Sequence, residues 1–187
     1  LCLGLGTDNA GCPHTLCHNN TDISGCSSLS YKLYCPMDFS QPASVAALDT
    51  SHITDLSYLF VDRFSVNPSF TNPGSGMAAL PDSTQQAWGH VKVPIGNWNT
   101  SAVTSFEGTF WEAASFNQPL SWDTSAGTNF EAMFKGAHTF NQDLGHFSVQ
   151  GSLASMFEDA LAFDQPLQWN VSAVTNFSRI FYNASSF

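Results

Sequence analysis

The stretch Phe116-Asn117-Gln118-Pro119-Leu120-Ser121-Trp122 decides how this chain is read. It returns as Phe140-Asn141-Gln142-Asp143-Leu144 and again as Phe163-Asp164-Gln165-Pro166-Leu167-Gln168-Trp169. Phe187 is the first letter of a further copy. Working outward, one set of marker phenylalanines falls at Phe110, Phe134, Phe157 and Phe181, and a second at Phe116, Phe140, Phe163 and Phe187, spaced 24, 23 and 24 residues in both sets. A fixed apolar pattern of this period marks a stack of supersecondary units, none of which can bury its apolar side alone.

Upstream, Leu48-Asp49-Thr50-Ser51 through Phe60 matches Trp98-Asn99-Thr100-Ser101 through Phe110, position for position. Between the two copies lies an insertion at about residues 61–92, carrying Asn67-Pro68, Asn72-Pro73-Gly74 and Leu80-Pro81; these turn signals predict an ordered loop or flap outside the repeat. The copy around Phe147 is shortened, with Phe in place of Trp.

Two periodicities alternate within a copy. Phe106, Phe110 and Ala113 sit at i, i+4 and i+7, as do Phe130, Phe134 and Ala137, which predicts the apolar stripe of a short helix. Thr104 with Glu107 and Thr128 with Glu131 have capping-box spacing, placing helix starts at Thr54, Thr104, Thr128 and Thr175. The pattern then changes to a period of two. Phe116, Gln118, Leu120 and Trp122 point one way, and Asn117, Pro119 and Ser121 the other, which predicts one short strand per copy. Gln118, Gln142 and Gln165 fall in the inward register. A buried amide costs about 1–3 kcal/mol unless bonded, so a ladder of stacked glutamines is expected, each satisfied by its neighbour or by a turn carbonyl. Together with Trp169, these residues form the expected repeat core. The fold class is an α/β repeat, a solenoid of about five coils over residues 46–187, preceded by a small module at residues 1–45.

All five cysteines, Cys2, Cys12, Cys17, Cys26 and Cys35, lie in that module. Such crowding predicts a disulfide-stapled unit made in an oxidising compartment, with one thiol left over. Zinc is the alternative at Cys12-Pro13-His14-Thr15-Leu16-Cys17-His18, but no Cys-x2-Cys pair supports it.

Five Lys and Arg stand against fifteen Asp and Glu, for a formal charge of −10. Phosphate backbones need clustered cations, so nucleic-acid binding is excluded. Charged residues make up only 11% of the chain, so Ser, Thr, Asn and Gln must form much of the surface, a composition suited to an extracellular or cell-surface glycoprotein. No apolar run reaches the roughly 20 residues of a membrane span. The first residue is not Met, which fits removal of a signal peptide.

Sequons occur at Asn19, Asn99, Asn170, Asn176 and Asn183, so N-linked glycans are the expected covalent additions and no cofactor or metal is. Asn, Thr and Ser also recur because turns before a helix favour them. Trp98, Trp122 and Trp169 recur once per copy in the inward register and read as core rather than as a carbohydrate stripe. Glu107, Glu112, Glu131, Asp143, Glu158, Asp159 and Asp164 form no Asp-x-Asp-x-Asp loop and read as solvated charge. No catalytic constellation emerges.

The run Met133-Phe134-Lys135-Gly136-Ala137-His138-Thr139-Phe140-Asn141-Gln142-Asp143-Leu144, with Trp98–Thr104 and Trp169–Phe177, resembles the BspA-like surface-protein repeat, which is also that of Mycoplasma surface lipoproteins. The resemblance covers residues 48–60 and 94–187. It implies a right-handed, leucine-rich-repeat-like solenoid at the cell surface with structural or adhesive roles and no enzyme activity. The insertion, the shortened copy and the cysteine module depart from it. An open coil at Phe187 would need covering, by further protein or by the next molecule. The expectation is therefore a structural glycoprotein whose partners are copies of itself, assembling head-to-tail into a filament. The alternative is an adhesion module that holds a glycan or another surface protein on the concave face and the 61–92 flap.

Overall fold

The structure, a computed structural model, describes residues 49–60 and 95–187. The cysteine module, Asn19 and the whole insertion at 61–92 lie outside the described residues. Regular elements are few: β1, Gly151–Ser152, pairs in parallel with β2, Val174–Asn176, with Gly151 opposite Val174 and Ser152 opposite Asn176. Single parallel bridges extend this pairing through Asp55, Ser105, Asn129 and Ser152, one residue per repeat.

Beyond that column the backbone follows one rule in every repeat. Alternate amides donate forward to the next copy: Phe106, Gly108, Phe110 and Glu112 to the carbonyls of Asn129, Glu131, Met133 and Lys135, at 2.7–2.8 Å. Phe130, Ala132, Phe134 and Gly136 repeat this onto Ser152, Ala154, Met156 and Glu158, and Leu153, Ser155, Phe157 and Asp159 onto Asn176, Ser178, Ile180 and Tyr182. The amides in between close turns within the repeat, as Thr109 does to Phe106, Trp111 to Gly108 and Ala113 to Phe110.

The helices expected from Thr104 and its equivalents are therefore absent among the described residues, and a run of turns replaces them. An isolated helix of about ten residues is marginal in water; releasing half its amides to a neighbour yields a cross-repeat bond at every second residue. The turns place the third residue in the left-handed region: Gly108, Ala132, Ser155 and Arg179 at φ of 53–58°, and Glu112, Gly136, Asp159 and Asn183 at 57–70°. Side chains in that region cost about 1–2 kcal/mol, so the ladder overrides local preference. The capping boxes do not form either. Thr104 Oγ1 donates to Thr54 O at 3.1 Å and Thr128 Oγ1 to Thr104 O at 3.3 Å, so each hydroxyl ties its repeat to the one before. Glu107 instead accepts from Tyr58 Oη and from Asn129 Nδ2.

The core lies between the turn run and the Phe116-type segment. Phe60, Phe110, Phe134, Phe157 and Phe181 stack at centroid separations of 5.3, 5.4, 5.6 and 5.5 Å. Phe116, Phe140, Phe163 and Phe187 form a second column at 5.7, 6.1 and 5.9 Å. Within a repeat the two columns touch, at 4.1 Å for Phe134 and Phe140. Burying each such ring stabilises the stack by about 1.5–3 kcal/mol.

Candidate functional site

In this fold every candidate site is a column of equivalent residues, running across repeats. The Phe116–Trp122 segment forms no strand. Its burial alternates, with Phe116, Leu120 and Trp122 buried and Asn117, Pro119 and Ser121 exposed, but among the described residues one backbone bond, Ser121 N to Gly96 O, joins it to its predecessor. Side chains take over the connection. Asn117 Oδ1 accepts from Asn141 N at 3.0 Å and Gln142 Nε2 at 2.8 Å; Asn141 Oδ1 accepts from Asp164 N at 3.0 Å and Gln165 Nε2 at 2.8 Å. Gln142 and Gln165, half-buried, bond to the asparagine of the preceding repeat rather than to each other. Proline in this segment loses no ladder bond because there is no ladder there.

Two further columns join the repeats; the recurring tryptophans are the expected core, and the threonine column is the one the sequence reading missed. Thr50, Thr100 and Thr124 are buried and donate to the carbonyls of Asn99, Asp123 and Ser148. Trp122 and Trp169 donate their indole N–H to Ile95 O and Leu144 O, and Trp98 stacks on Trp122 at 6.4 Å. Trp98 and Trp122 are buried and Trp169 packs partly against the core. The threonine column has a signal in the sequence, since Thr50, Thr100 and Thr124 recur with the period, but turn preference explains that pattern equally well.

Three charged residues meet at one place. Glu158 is 4% exposed and is held by Lys135 Nζ at 3.2 Å and Arg179 at 2.8 Å; the Arg179 guanidinium lies 4.2 Å above the Tyr182 ring. Burial acts to raise the Glu158 carboxyl, but hydrogen bonds from Ser155, Lys135 and Arg179 hold it below its ordinary value. Glu112 differs: burial pushes it up and Asp159 adds to that, against His138 and Lys135. Its carboxylate covers Gly136, where an added Cβ would lie 2.7 Å away. No group of three metal-ligating side chains is found among the described residues.

At the four described sequons, Asn99 Oδ1 and Asn170 Oδ1 accept the amides of Ser101 and Ser172, and both residues are exposed. Asn176 lies in β2 and accepts from Ser178 N. Asn183 Nδ2 donates to Asp159 Oδ1 at 2.7 Å.

Four of the five exposed large apolar side chains among the described residues lie in the fifth repeat. Phe177, Tyr182 and Phe187 are 46%, 56% and 55% exposed. The amides of Phe177, Arg179, Phe181 and Asn183, equivalent to the forward donors of the earlier repeats, have no acceptor among the described residues. No described helix is long and apolar enough to cross a membrane.

No match to the chain was found among curated proteins or among solved structures. Residues 79–187, more than half of the chain, match a family profile, and residues 49–60 lie outside the match. The chain belongs to the family described as Mycoplasma protein of unknown function, DUF285.

Proposed function

We propose that the protein is a non-enzymatic structural glycoprotein of the cell surface or extracellular space, built as a right-handed, leucine-rich-repeat-like solenoid of the BspA-like kind, which assembles with copies of itself head-to-tail into a filament. The observation that carries this is the forward ladder, in which each described repeat from Leu56 onward gives alternate amides to the next and stacks its phenylalanines on it. A repeat of this kind gains both hydrogen bonds and apolar burial by stacking on another repeat. The polar side chains support the same reading, since Thr, Asn, Gln and the Lys135–Glu158–Arg179 group are engaged in joining repeats. Light scattering and electron microscopy of the purified chain test it. Growth into fibres with rising concentration is expected, and a chain that stays monomeric at high concentration sinks the reading.

Glycan additions belong to this proposal, at two or more sequons. Asn99 and Asn170 fit best, being exposed with their side-chain nitrogens unengaged by described residues. Intact-glycopeptide mass spectrometry on native material would find sugar there, and bare peptides at every sequon would remove the claim.

A second reading, adhesion, draws on one local feature. Tyr58 and Trp111 lie 6.0 Å apart, and the Trp111 indole is beside the Glu112 carboxylate. Aromatic rings with adjacent carboxylates suit a glycan. Binding on a glycan array that Trp111→Ala abolishes would favour this reading.

A further inference from the structure

We propose that the back face of the first repeat is the docking site for this chain's own residues 22–48, which form one more repeat of the solenoid, seated behind Asp49–Phe60. This docking needs no second copy and so stands apart from the assembly reading above.

Burial in the first repeat shows that something lies behind it. Among the described residues its partners are in front: Leu56, Tyr58 and Phe60 give their amides to Ser105, Glu107 and Thr109, and the Phe60 ring stacks on Phe110. Yet Ile53 and Leu56 are fully buried and Phe60 is 1% exposed. An uncovered repeat looks different, as the half-exposed rings of Phe177 and Phe187 show where the sequence stops. By the register of the ladder the carbonyls of Asp55, Ser57 and Leu59 face backward, as those of Ser105, Glu107 and Thr109 do. The occupant must therefore offer amides at alternate residues and apolar side chains in the spacing of the repeat itself.

Residues 22–44 match the repeat without a gap. Asp22 precedes Phe39 by 17 residues, the spacing of Asn99 to Phe116 and of Asp123 to Phe140. Along it, Asp22-Ile23-Ser24 stands for Asp123-Thr124-Ser125, Ser27-Ser28-Leu29 for Thr104-Ser105-Phe106, and Leu33 for Phe110. Phe39-Ser40-Gln41-Pro42-Ala43-Ser44 then repeats Phe116-Asn117-Gln118-Pro119-Leu120-Ser121 at four of six positions. Three residues, Val45–Ala47, intervene before Leu48, which holds the place of Trp98 and Trp122. Cys26 falls where Ile53 and Val103 are fully buried, a position that suits a small apolar side chain. In this register the amides of Leu29, Tyr31 and Leu33 donate to the carbonyls of Asp55, Ser57 and Leu59, and Leu33 heads the column of Phe60, Phe110 and Phe134. Two residues depart from the pattern: Lys32 stands where Leu59, Thr109 and Met133 are buried, and Pro36 where Ala113 is. A lysine stem covers apolar surface while its amine stays in water, and Pro36 forgoes the one turn bond that Ala113 makes to Phe110. The insertion fits less well. It echoes the second half of the repeat as Phe70-Thr71-Asn72-Pro73, but 17 residues before Phe70 stands Ile53, so the insertion has no turn half of its own. Insertions in repeat arrays also emerge as loops on one face rather than across an end.

Hydrogen exchange read by mass spectrometry on the whole, oxidised chain tests this. Amides of residues 29–33 should exchange at least about a hundredfold more slowly than in the urea-unfolded chain. Leu33→Asp should speed exchange across residues 50–60 about tenfold and leave residues 130–157 within about twofold, because coupling passes between neighbouring repeats. Ser30→Glu should change neither, since Glu107 and Glu131 hold the equivalent position in the interior. Exchange of residues 29–33 at the unfolded rate overturns the proposal, as does a first repeat indifferent to Leu33→Asp. If Trp88→Asp loosens residues 50–60 and Leu33→Asp does not, the insertion is the occupant and the proposal falls. Should Leu33→Asp abolish folding, the milder Leu33→Ala decides by the same ordering of effects on residues 50–60 and 130–157.

Discussion

Successive repeats are joined in two different ways along the same turn of chain. From Phe106 to Ala113 the backbone makes the connection, through four forward amides per repeat. From Phe116 to Trp122 side chains make it, through Asn117 and Asn141. Backbone bonding constrains conformation and hardly constrains identity, which is why Gly108, Ala132, Ser155 and Arg179 can share one left-handed position. Side-chain bonding constrains identity instead. The Asn-Gln pair consequently recurs in the faithful half of the repeat, and the variable residues gather in the other.

The largest effect should come from the core that both segments share. Phe134→Ala removes a ring stacked on Phe110, Phe140 and Phe157, and should cost about 3–5 kcal/mol in chemical denaturation. Phe140→Ala should cost a similar amount. A much smaller loss for either would mean that the two segments do not share one core.

A glycine comparison separates the segments. Gly151, in the backbone-joined segment, has φ of +70°, and a Cβ there would lie 1.9 Å from Thr128 O. Gly151→Ala should therefore cost at least the roughly 1–2 kcal/mol of a left-handed side chain, and the clash adds to it. Gly145, in the other segment, would place its Cβ 3.1 Å from Asp143 Oδ1 on an exposed turn, so Gly145→Ala should stay within about 0.5 kcal/mol. Equal thermal shifts for the two variants would erase the distinction.

The side-chain ladder is the next smaller term. Asn141→Ala deletes the acceptor for Asp164 N and Gln165 Nε2, for an expected loss of about 1 kcal/mol. Asn141→Asp keeps the acceptor oxygen and should recover most of it. If Ala and Asp prove equivalent in urea denaturation, the ladder contributes nothing.

What could be read in advance follows the same division. Phe116, Phe140 and Phe163 recur because their rings must stack, so a periodic signal exists for any reader. The i, i+4 spacing of Phe106 and Phe110 carried no such certainty. A helix and a run of paired turns both return a side chain to the same side after four residues, and the left-handed backbone at Ala132 and Ser155 has no glycine to announce it. Thr104 and Glu107 were misread for a related reason: a hydroxyl suited to capping a helix is equally suited to reaching Thr54 O in the preceding repeat. The Asn117 column was masked by alternation, which marks Asn117 as outward without showing that the neighbouring repeat's amides meet it. The cysteine module lies outside the described residues.

The smallest effects are electrostatic, and here two carboxylates in the backbone-joined segment should pull in opposite directions. Glu158 has its folded pKa depressed below the ordinary 4.5 by Ser155, Lys135 and Arg179, which overcome its burial. Its contribution to stability is therefore present above pH 4.5 and is lost as pH falls through the folded value. Glu112 is raised above 4.5, chiefly by burial. The folded state then binds a proton more readily than the unfolded chain, so stability should rise as pH falls through the raised value towards 4.5. Urea midpoints measured across pH should thus climb slightly on mild acidification before dropping below pH 4.5. Glu112→Gln should flatten the climb and leave the drop, whereas Glu158→Gln should lower the midpoint at neutral pH and shrink the drop. Exposed Asp49 and Asp123, also held low by the neighbouring serines, titrate alike in both variants, so the difference between the two curves isolates the pair. If the Glu112→Gln curve keeps the climb, burial of that carboxylate against Gly136 is not what sets its titration.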